Sequence, residues 1–268
     1  MVTNLAKNII SKILAALMIV SLALGVLSVR PVYANACAWT GATNTTWATA
    51  SNWSGCGGVA PQATDTVVIP DAATTLNDPT VTNAVVTIAG FTIDSGGVVN
   101  DGGSSTRLTV NGPVVLNGTW NGAGRLLLNA GAATLDGSGT FNGNRIDPVS
   151  GARTILSTAN LTVTRIDVRA NNTVTNYGSV TATTITGNDA TTAIWINEAN
   201  STLKVSGELF DTKPGTLTAT ANPNTVEYNG AVQTVEPATY HHLILSGSGA
   251  KTAGRVVTTN GNLTVITA

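Results

Sequence analysis

The chain has 268 residues, of which only 10% are charged, and its 13 basic and 14 acidic side chains give a formal net charge of −1. Without an excess of Lys and Arg, nucleic acid is disfavoured as the main partner, because such binding requires many contacts to phosphates. Val, Ile and Thr recur in short alternating runs along the chain, which argues against a disordered polymer and favours strands.

Residues 1–36 have the pattern of an export signal. Lys7 and Lys12 precede an uncharged apolar run from Ile13 to Val29, and Ala34-Asn35-Ala36 matches the small-x-small pattern of a cleavage site. We expect cleavage after Ala36, which removes three basic residues and no acid and changes the net charge from −1 to −4. The alternative is an uncleaved membrane anchor, since the apolar run lies at the lower edge of a spanning length. Either way the chain is secreted or at the cell surface, and after cleavage it has no membrane contact.

Cys37 and Cys56 are the two cysteines of the chain. In an exported protein we expect them to form a disulfide that closes a short N-terminal loop and stabilises the fold by about 3 kcal/mol. A lipid on Cys37 is the alternative, because Cys37 directly follows the expected cut. Ala34 argues against the lipid, since lipidated chains usually have Leu at the third position before the cut.

Residues 37–66 form a Trp-rich segment that contains Trp39, Trp47 and Trp53. Its pattern of Trp-x-Gly, then Trp, then Asn-Trp, then Asp before an apolar strand resembles the opening segment of large exported bacterial repeat proteins of the β-helix and adhesin-like kind. The resemblance implies an aromatic cap over the first coil, because the end of a stack exposes apolar residues and strand edges. A sugar-stacking platform made by the same three rings is the alternative.

Residues 67–223 contain internal repeats of about twenty residues. "LTVNG" at Leu108 aligns with "LLLNA" at Leu126, a shift of 18, and "GTWNG" at Gly118 aligns with "GTFNG" at Gly139, a shift of 21 that places Trp120 on Phe141. Further alignments have shifts of 19 or 20 residues: Val114 with Ala133, Val174 with Ile194, and Thr183 with Leu203. Short strands separated by Gly turns at this period predict an all-β fold, a right-handed parallel β-helix (solenoid) with about ten coils between Val67 and Ile266.

Asn residues recur at the turns between these strands. Equivalent Asn side chains in a stack of coils lie above one another and can hydrogen-bond from coil to coil through their amides. We expect this bridging at five residues: Asn111, Asn117, Asn121, Asn129 and Asn142.

Residues 224–268 form a further β repeat of a different pattern. The order "TVEYNG", "QTV", "ATYHHLILSGSGAKT" and "NGNLTV" resembles a repeat of long exported bacterial proteins, which are mostly surface, adhesin-like or matrix proteins. The chain ends at Ala268 directly after an apolar strand pattern, so we expect a repeat that is truncated at its C-terminus. An open strand edge there invites pairing with another chain.

The usual motifs of catalysis and metal binding fail on spacing. "GSGAKT" at Gly247 resembles a phosphate loop, but its lysine is displaced by one residue and no helix follows. His241 and His242 are adjacent and face opposite ways on a strand, which disfavours a shared metal ion. Isolated turn acids would hold Ca²⁺ only weakly; they are Asp94, Asp101 and Asp136. We therefore predict no catalytic residue, no metal and no cofactor.

One charge-dense stretch contains two similar segments, "NRIDPV" and "TRIDVR". Its charged residues are Arg145, Asp147, Arg153, Arg165, Asp167 and Arg169. Arg145 and Arg165 are 20 residues apart, so on neighbouring coils they would stack as a ladder, with the two Asp stacked in the same way. We expect mainly ion pairs between coils, each worth little when exposed. A site for anions or acidic sugars, contacted by Arg145 and Arg165, is the alternative.

These observations lead to three functional hypotheses. The leading one is an exported, non-enzymatic structural or adhesive protein of a cell surface or matrix, with surface glycans or copies of itself as partners. The second is a carbohydrate-binding or polysaccharide-degrading β-helix that stacks sugars on its Trp-rich segment and holds acidic groups with Arg145 and Arg165. The third is a self-assembling surface-layer or fibre subunit, which follows from the open C-terminal edge.

Overall fold

The computed structural model describes residues 34–82, 85–129, 133–187 and 192–266. Residues 1–33, which hold most of the expected export signal, lie outside the described residues. The described chain is all-β, and its parallel strands stack as a β-solenoid of about 9 turns, which confirms the predicted fold class. Two short 3-10 helices interrupt the strands at Ala50–Asn52 and Ala72–Thr74. No helix in this part of the chain combines the length and the apolar character needed to cross a bilayer.

The strands are short because turns rich in Gly, Asn and Ser separate them. In the first half of the described chain they are β1 (Ala36–Trp39), β2 (Trp53–Ser54), β3 (Thr66–Ile69), β4 (Thr80–Val81), β5 (Val85–Ile88), β6 (Gly90–Ile93), β7 (Val98–Asp101), β8 (Arg107–Val110), β9 (Val114–Leu116), β10 (Thr119–Asn121), β11 (Arg125–Leu128), β12 (Thr134–Asp136), β13 (Thr140–Asn142) and β14 (Arg145–Pro148).

The second half continues in the same manner, with two longer strands, β16 and β18, that each bend around a corner. The strands are β15 (Ala152–Ile155), β16 (Asn160–Asp167), β17 (Thr173–Asn176), β18 (Ser179–Thr186), β19 (Ile194–Asn197), β20 (Thr202–Val205), β21 (Thr216–Thr218), β22 (Thr225–Tyr228), β23 (Gln233–Val235), β24 (Thr239–Tyr240), β25 (His242–Leu245), β26 (Lys251–Ala253), β27 (Thr258–Thr259) and β28 (Leu263–Val265).

Each coil has three sides. The first side is the sheet in the order β2-β1-β3-β6-β9-β12-β15-β17-β19-β21, and the second side is β4-β7-β10-β13-β16-β18-β20-β22-β25-β28. The third side is β5-β8-β11-β14, which continues into the second halves of β16 and β18. The strands at the C-terminal end pair as β23 with β26 and β24 with β27. All these pairs are parallel except β1 with β2, which is antiparallel.

Alternate residues of the strands point inward and form one continuous core. In β11, Leu126 and Leu128 are buried whereas Arg125 and Leu127 are partly exposed. Side chains of equivalent position stack from coil to coil, and Leu126 pairs with Leu108 as the repeat predicts.

The predicted stacking of Trp120 on Phe141 is also confirmed. The two residues pair between β10 and β13, and their ring centroids lie 5.7 Å apart. Trp120 is fully buried, and its indole N–H donates to Asp101 at 2.9 Å. An aromatic pair of this size supplies a large part of the apolar area buried in these two coils.

Three of the predicted repeat alignments are wrong by one to three residues. Leu135 pairs with Val114, a shift of 21 in place of 19. Val174 pairs with Trp195, a shift of 21 in place of 20. A shift of 20 would pair Val174, which points inward, with Ile194, which points outward. In the following strand, Leu203 pairs with Val180, a shift of 23 in place of 20. The coils differ in length because their turns differ in length, whereas the inward-facing positions stay aligned.

Two of the predicted Asn bridges form. The amide of Asn129 donates to Asn111 at 3.0 Å, and the amide of Asn142 donates to Asn121 at 3.1 Å. Asn117 instead accepts a backbone N–H from the next coil at 3.2 Å. The amide ladders are thus pairs at separate corners of the solenoid.

The N-terminal segment closes the first coil. Cys37 and Cys56 form the predicted disulfide, with Cα atoms 4.9 Å apart, so the thiol of Cys37 is not available for a lipid. Trp39, Trp47 and Trp53 are 1%, 3% and 8% exposed. Their rings pack edge to face, with centroids 4.9 Å and 4.7 Å apart. The alternative of a sugar-stacking platform is therefore wrong, because the ring faces lie in the core.

Candidate functional site

Four Arg lie above one another on the third side of the solenoid. Arg107 pairs with Arg125, and Arg125 pairs with Arg145. The pairing of β14 with β16 places Arg165 next in line. Each Arg directly precedes an inward-facing Leu or Ile, so the Arg side chain points outward. Paired residues on neighbouring strands are about 4.8 Å apart. We call Arg107, Arg125, Arg145 and Arg165 the arginine column.

Two buried carboxylates hold this column from one side. The side chains of Asp147 and Asp167 are 0% and 1% exposed. Arg145 Nε lies 2.7 Å from Asp147 Oδ1 and 3.3 Å from Asp167 Oδ2. Arg169 Nη2 donates to Asp147 Oδ2 at 2.8 Å, and Arg165 Nη2 lies 3.5 Å from Asp167 Oδ2. The predicted ion pairs between coils are thus present, and both carboxylates are buried, since the long Arg side chains cover them.

The cluster carries an excess of positive charge. With Arg169, five guanidinium groups face two carboxylates, whereas the whole chain has a net charge of −1. Among the described residues, no carboxylate forms an ion pair with Arg107 or Arg125. Burial, followed by the neighbouring Arg145, lowers the pKa of Arg125. The Nε groups of Arg125 and Arg165 are buried and have no hydrogen-bond partner within the described chain.

Arg153 does not belong to this cluster, although the sequence grouped it there. It lies in β15 on the first side, points into the core and is 2% exposed. Its guanidinium donates to the carbonyl oxygen of Leu128 at 2.8 Å and 3.2 Å. Burial lowers the pKa of Arg153. The period of the repeat could not show this, because Arg153 and the arginine column lie on different sides of the same coils.

A second charged groove lies near the C-terminal end of the solenoid. It has a volume of about 490 Å³, and its lining includes Asp211, Glu236 and Arg255. Burial raises the pKa of Glu236 to about 7, the charge of Asp211 acts in the same direction, and Arg255 opposes both. The sequence offered no sign of this groove, since its charged residues are isolated and come from three different turns or strand ends.

The phosphate-loop-like stretch is part of a turn and a strand. Residues 246–249 line a groove of about 440 Å³ at the last coil, and Lys251 begins β26. Lys251 Nζ donates to the carbonyl oxygens of Gly230 and Ala231, both at 2.9 Å. The lysine therefore ties two turns together, as expected for a sequence in which no helix follows the glycines.

His241 and His242 do not assemble a metal site. Their ring centroids lie 4.3 Å apart, and Nδ1 of His242 accepts the backbone N–H of Asn262 at 3.0 Å. Of the turn acids, Asp101 accepts two backbone N–H groups from the next coil in addition to Trp120. No group of three His, Cys, Asp or Glu within the described residues could hold a metal ion.

The structure thus brings together Arg145 and Arg165 but places the three Trp in the core of the cap. Comparison of the chain with protein-family models, curated proteins and solved structures found no match. The arginine column is the candidate site with the most regular geometry, because four like side chains repeat on consecutive coils.

Proposed function

We propose that the chain is an exported, non-enzymatic β-solenoid that serves as a structural or adhesive component of a cell surface or extracellular matrix. The observation that carries the proposal is the unbroken stacking of two long parallel sheets, one of which runs from the disulfide-closed cap at β1 to β21 and the other from β4 to β28. A stack of this kind forms a rigid spacer whose surface repeats at a constant interval, which suits attachment along a polymer better than turnover of a small molecule.

Export is tested by expressing the chain with its own leader in a bacterial host. We expect the protein in the medium or on intact cells, where added protease and a membrane-impermeant biotin reagent reach it. The Cys37–Cys56 disulfide should form without added oxidant. A reduced protein that stays in the cytoplasm would contradict the proposal.

A second proposal concerns the partner, and the arginine column favours an acidic polysaccharide. Carboxylate or sulfate groups along a glycan are anions at repeated spacing, and guanidinium groups bind such oxygens through two parallel hydrogen bonds. Arg107 and Arg125 are the first residues of the column and pair with no carboxylate of the described chain. They are therefore the best placed to bind an external anion without losing an internal one.

Binding is measured with an immobilised polyuronate and with its neutral, reduced counterpart. We expect retention on the acidic polymer alone, decreasing as salt is raised. Substitution of Arg107→Gln together with Arg125→Gln should weaken binding about tenfold, roughly 1.4 kcal/mol. Arg255→Gln is the matched control, because this exposed Arg lies outside the column. Equal retention of the double variant and the parent protein would show that the column is not the contact.

A further inference from the structure

Asp65 is a buried carboxylate at the start of the solenoid that lacks a side-chain cation. It is 0% exposed, and no Lys, Arg or His of the described residues forms an ion pair with it. Burial of a carboxylate without a counter-charge is unfavourable, so such groups are normally paired or richly hydrogen-bonded. Asp65 immediately precedes β3, where the first full coil begins. The contacts of its carboxylate therefore affect the stability of the first coil.

Asn35 supplies most of the hydrogen bonds to this carboxylate. Its backbone N–H donates to Asp65 Oδ1 at 2.8 Å, and its side-chain amide donates to the same oxygen at 3.0 Å. Gln62 N–H donates to Oδ2 at 2.7 Å. The carbonyl oxygen of Asn35 in turn accepts the N–H of Thr66 at 2.9 Å. Asn35 is thus part of the first coil, although it precedes β1.

Cleavage after Ala36 would damage this arrangement. That bond lies inside β1, where Ala36 pairs with Thr66 and Cys37 pairs with Val67. A chain that begins at Cys37 would lack both donors of Asn35 and would leave Asp65 with the N–H of Gln62. The sulfur of Cys37 could not replace them, because it is in a disulfide and has no hydrogen to donate.

The bond after Ala34 is the better cleavage site. Ala34 is exposed, and Val32-Tyr33-Ala34 has an uncharged residue three positions before the cut and Ala directly before it. We propose that the leader is removed after Ala34, so that the mature chain begins at Asn35 and its α-ammonium group is the missing counter-charge of Asp65. This proposal rests on the proposed export of the chain.

The chemistry is hydrolysis by a leader peptidase. Water adds across the Ala34–Asn35 peptide bond, Ala34 leaves as a carboxylate, and the nitrogen of Asn35 becomes an ammonium group. That nitrogen already lies 2.8 Å from Asp65 Oδ1, so cleavage converts a hydrogen bond between an amide and a carboxylate into an ion pair between an ammonium group and a carboxylate without moving the backbone. Processing would thereby stabilise the first coil as well as release the chain.

The cleavage site is tested on the protein exported with its own leader, by N-terminal sequencing and intact mass. We expect Asn35 as the first residue. A mature chain that begins at Cys37 would overturn this inference and leave export intact. A chain that keeps its leader and reaches the cell surface would also overturn the inference alone, whereas one that keeps its leader and stays in the cytoplasm would overturn both the inference and the proposed export.

The ion pair is tested with oxidised chains that begin at Asn35 or at Ala34, released from a fusion partner without extra residues. The chain that begins at Asn35 should have the higher melting temperature, because in the other chain the ammonium group is one residue away from Asp65. Asp65→Asn should abolish the difference, and Asp71→Asn, which changes an exposed carboxylate of the next turn, should keep it. Identical melting temperatures of the two unsubstituted chains would refute the ion pair.

Discussion

Gly118 lies at a corner of the solenoid where the preceding coil leaves no room for a side chain. A Cβ atom on Gly118 would lie 2.2 Å from the carbonyl oxygen of Gly97, and a Cβ atom on Gly139 would lie 2.1 Å from that of Gly118. The sequence identified these residues as turn formers. The structure adds that each is Gly because backbone stacks directly on backbone there.

Replacement of Gly118 by Ala should therefore destabilise the fold by about 2 kcal/mol, because the added methyl group must push two coils apart. Gly254→Ala is the matched control, since nothing lies within 4 Å of a Cβ atom at Gly254. That change should alter stability by less than about 0.5 kcal/mol. Chemical denaturation followed by circular dichroism measures both, and equal midpoints would contradict the stacking argument.

Glu236 gives the fold a predicted dependence on pH. Burial raises its pKa from 4.5 to about 7, so the folded chain holds this proton more tightly than the unfolded chain does. Stability from this group is therefore present at low pH and decreases as the pH rises from about 4.5 to about 7.

Glu236→Gln should remove that decrease and make the protein more stable than the parent above pH 7. Melting temperatures measured across the pH range test this expectation. Glu198→Gln serves as the control, because Glu198 does not line the groove that contains Glu236, and it should keep the decrease. A Glu236→Gln variant with the same pH profile as the parent would show that Glu236 is not buried enough to matter.

Among the elements, β1 depends most on a covalent link. It pairs parallel with β3 and antiparallel with β2, and the disulfide joins it to the segment that follows β2. Trp39 at the end of β1 packs on Trp53 of β2, Trp53 packs on Trp47, and Trp47 in turn lies 6.5 Å from Phe91 of β6 between ring centroids. The core at this end of the solenoid is therefore covered only when β1 is held in place.

Substitution of both cysteines by Ser should destabilise the protein by about 3 kcal/mol, because the closed loop restricts the unfolded chain. Urea denaturation of the oxidised parent, the reduced parent and the double variant measures the effect. The reduced parent and the variant should agree. An unchanged midpoint after reduction would show that the Trp packing alone orders the cap.

The Arg and Asp ladder links two consecutive strands of the third side, β14 and β16. Asp147 is shared by Arg145 and Arg169, at 2.7 Å and 2.8 Å. Asp147→Ala should cost about 3 kcal/mol, because it leaves Arg169 without a carboxylate and Arg145 with only the longer contact to Asp167. Lys204→Ala is the control and should cost under about 1 kcal/mol, since it breaks a more exposed pair with Glu227. Similar losses in the two variants, measured by chemical denaturation, would mean that burial adds nothing to the ladder.

A buried Asn ladder in the later coils was not predicted. The side chains of Asn176 and Asn197 are 0% exposed, and the amide of Asn176 donates to Asn197 at 2.8 Å. Asn176 also accepts the N–H of Gly178 at 3.0 Å, so it shapes the corner after β17. Four of the five Asn that were predicted to bridge precede a Gly, whereas Asn176 and Asn197 end strands without a Gly directly after them.

At the scale of the whole molecule, the two ends of the solenoid differ. The cap covers the first coil, whereas β28 pairs with β25 by one edge and with no other strand of the described chain. Val256, Leu263 and Val265 are 82%, 56% and 63% exposed near this edge. An exposed strand edge with apolar side chains is a template for pairing with another chain.

We therefore expect a chain that ends at Ala268 to associate through this edge as its concentration increases, which light scattering would detect. Leu263→Lys together with Val265→Lys should suppress association, because charges on an edge strand prevent pairing. Val59→Lys, at an exposed position in the cap segment, should leave association unchanged. A parent protein that stays monomeric at all concentrations would refute the assembly hypothesis.

The sequence by itself determined the fold class, the position of most inward-facing residues, the disulfide, and the stacking of Trp120 on Phe141. These features follow from local patterns, because the alternation of inward and outward residues, the Gly turns and the period of about twenty residues can all be read directly from the sequence. The sequence also grouped Arg145 with Arg165 correctly, because their spacing matches one coil.

Only the tertiary structure decided the exact register, the burial of Asp147 and Asp167, the inward direction of Arg153, and the meeting of Asp211 with Glu236. Each depends on how many residues a corner takes, and one residue more or less moves a side chain from the outside of a coil to its core. The number of residues in a corner depends on backbone contacts between coils, as at Gly118. It also depends on turns whose sequences do not repeat from one coil to the next. A repeat therefore predicts its core well and its surface chemistry poorly.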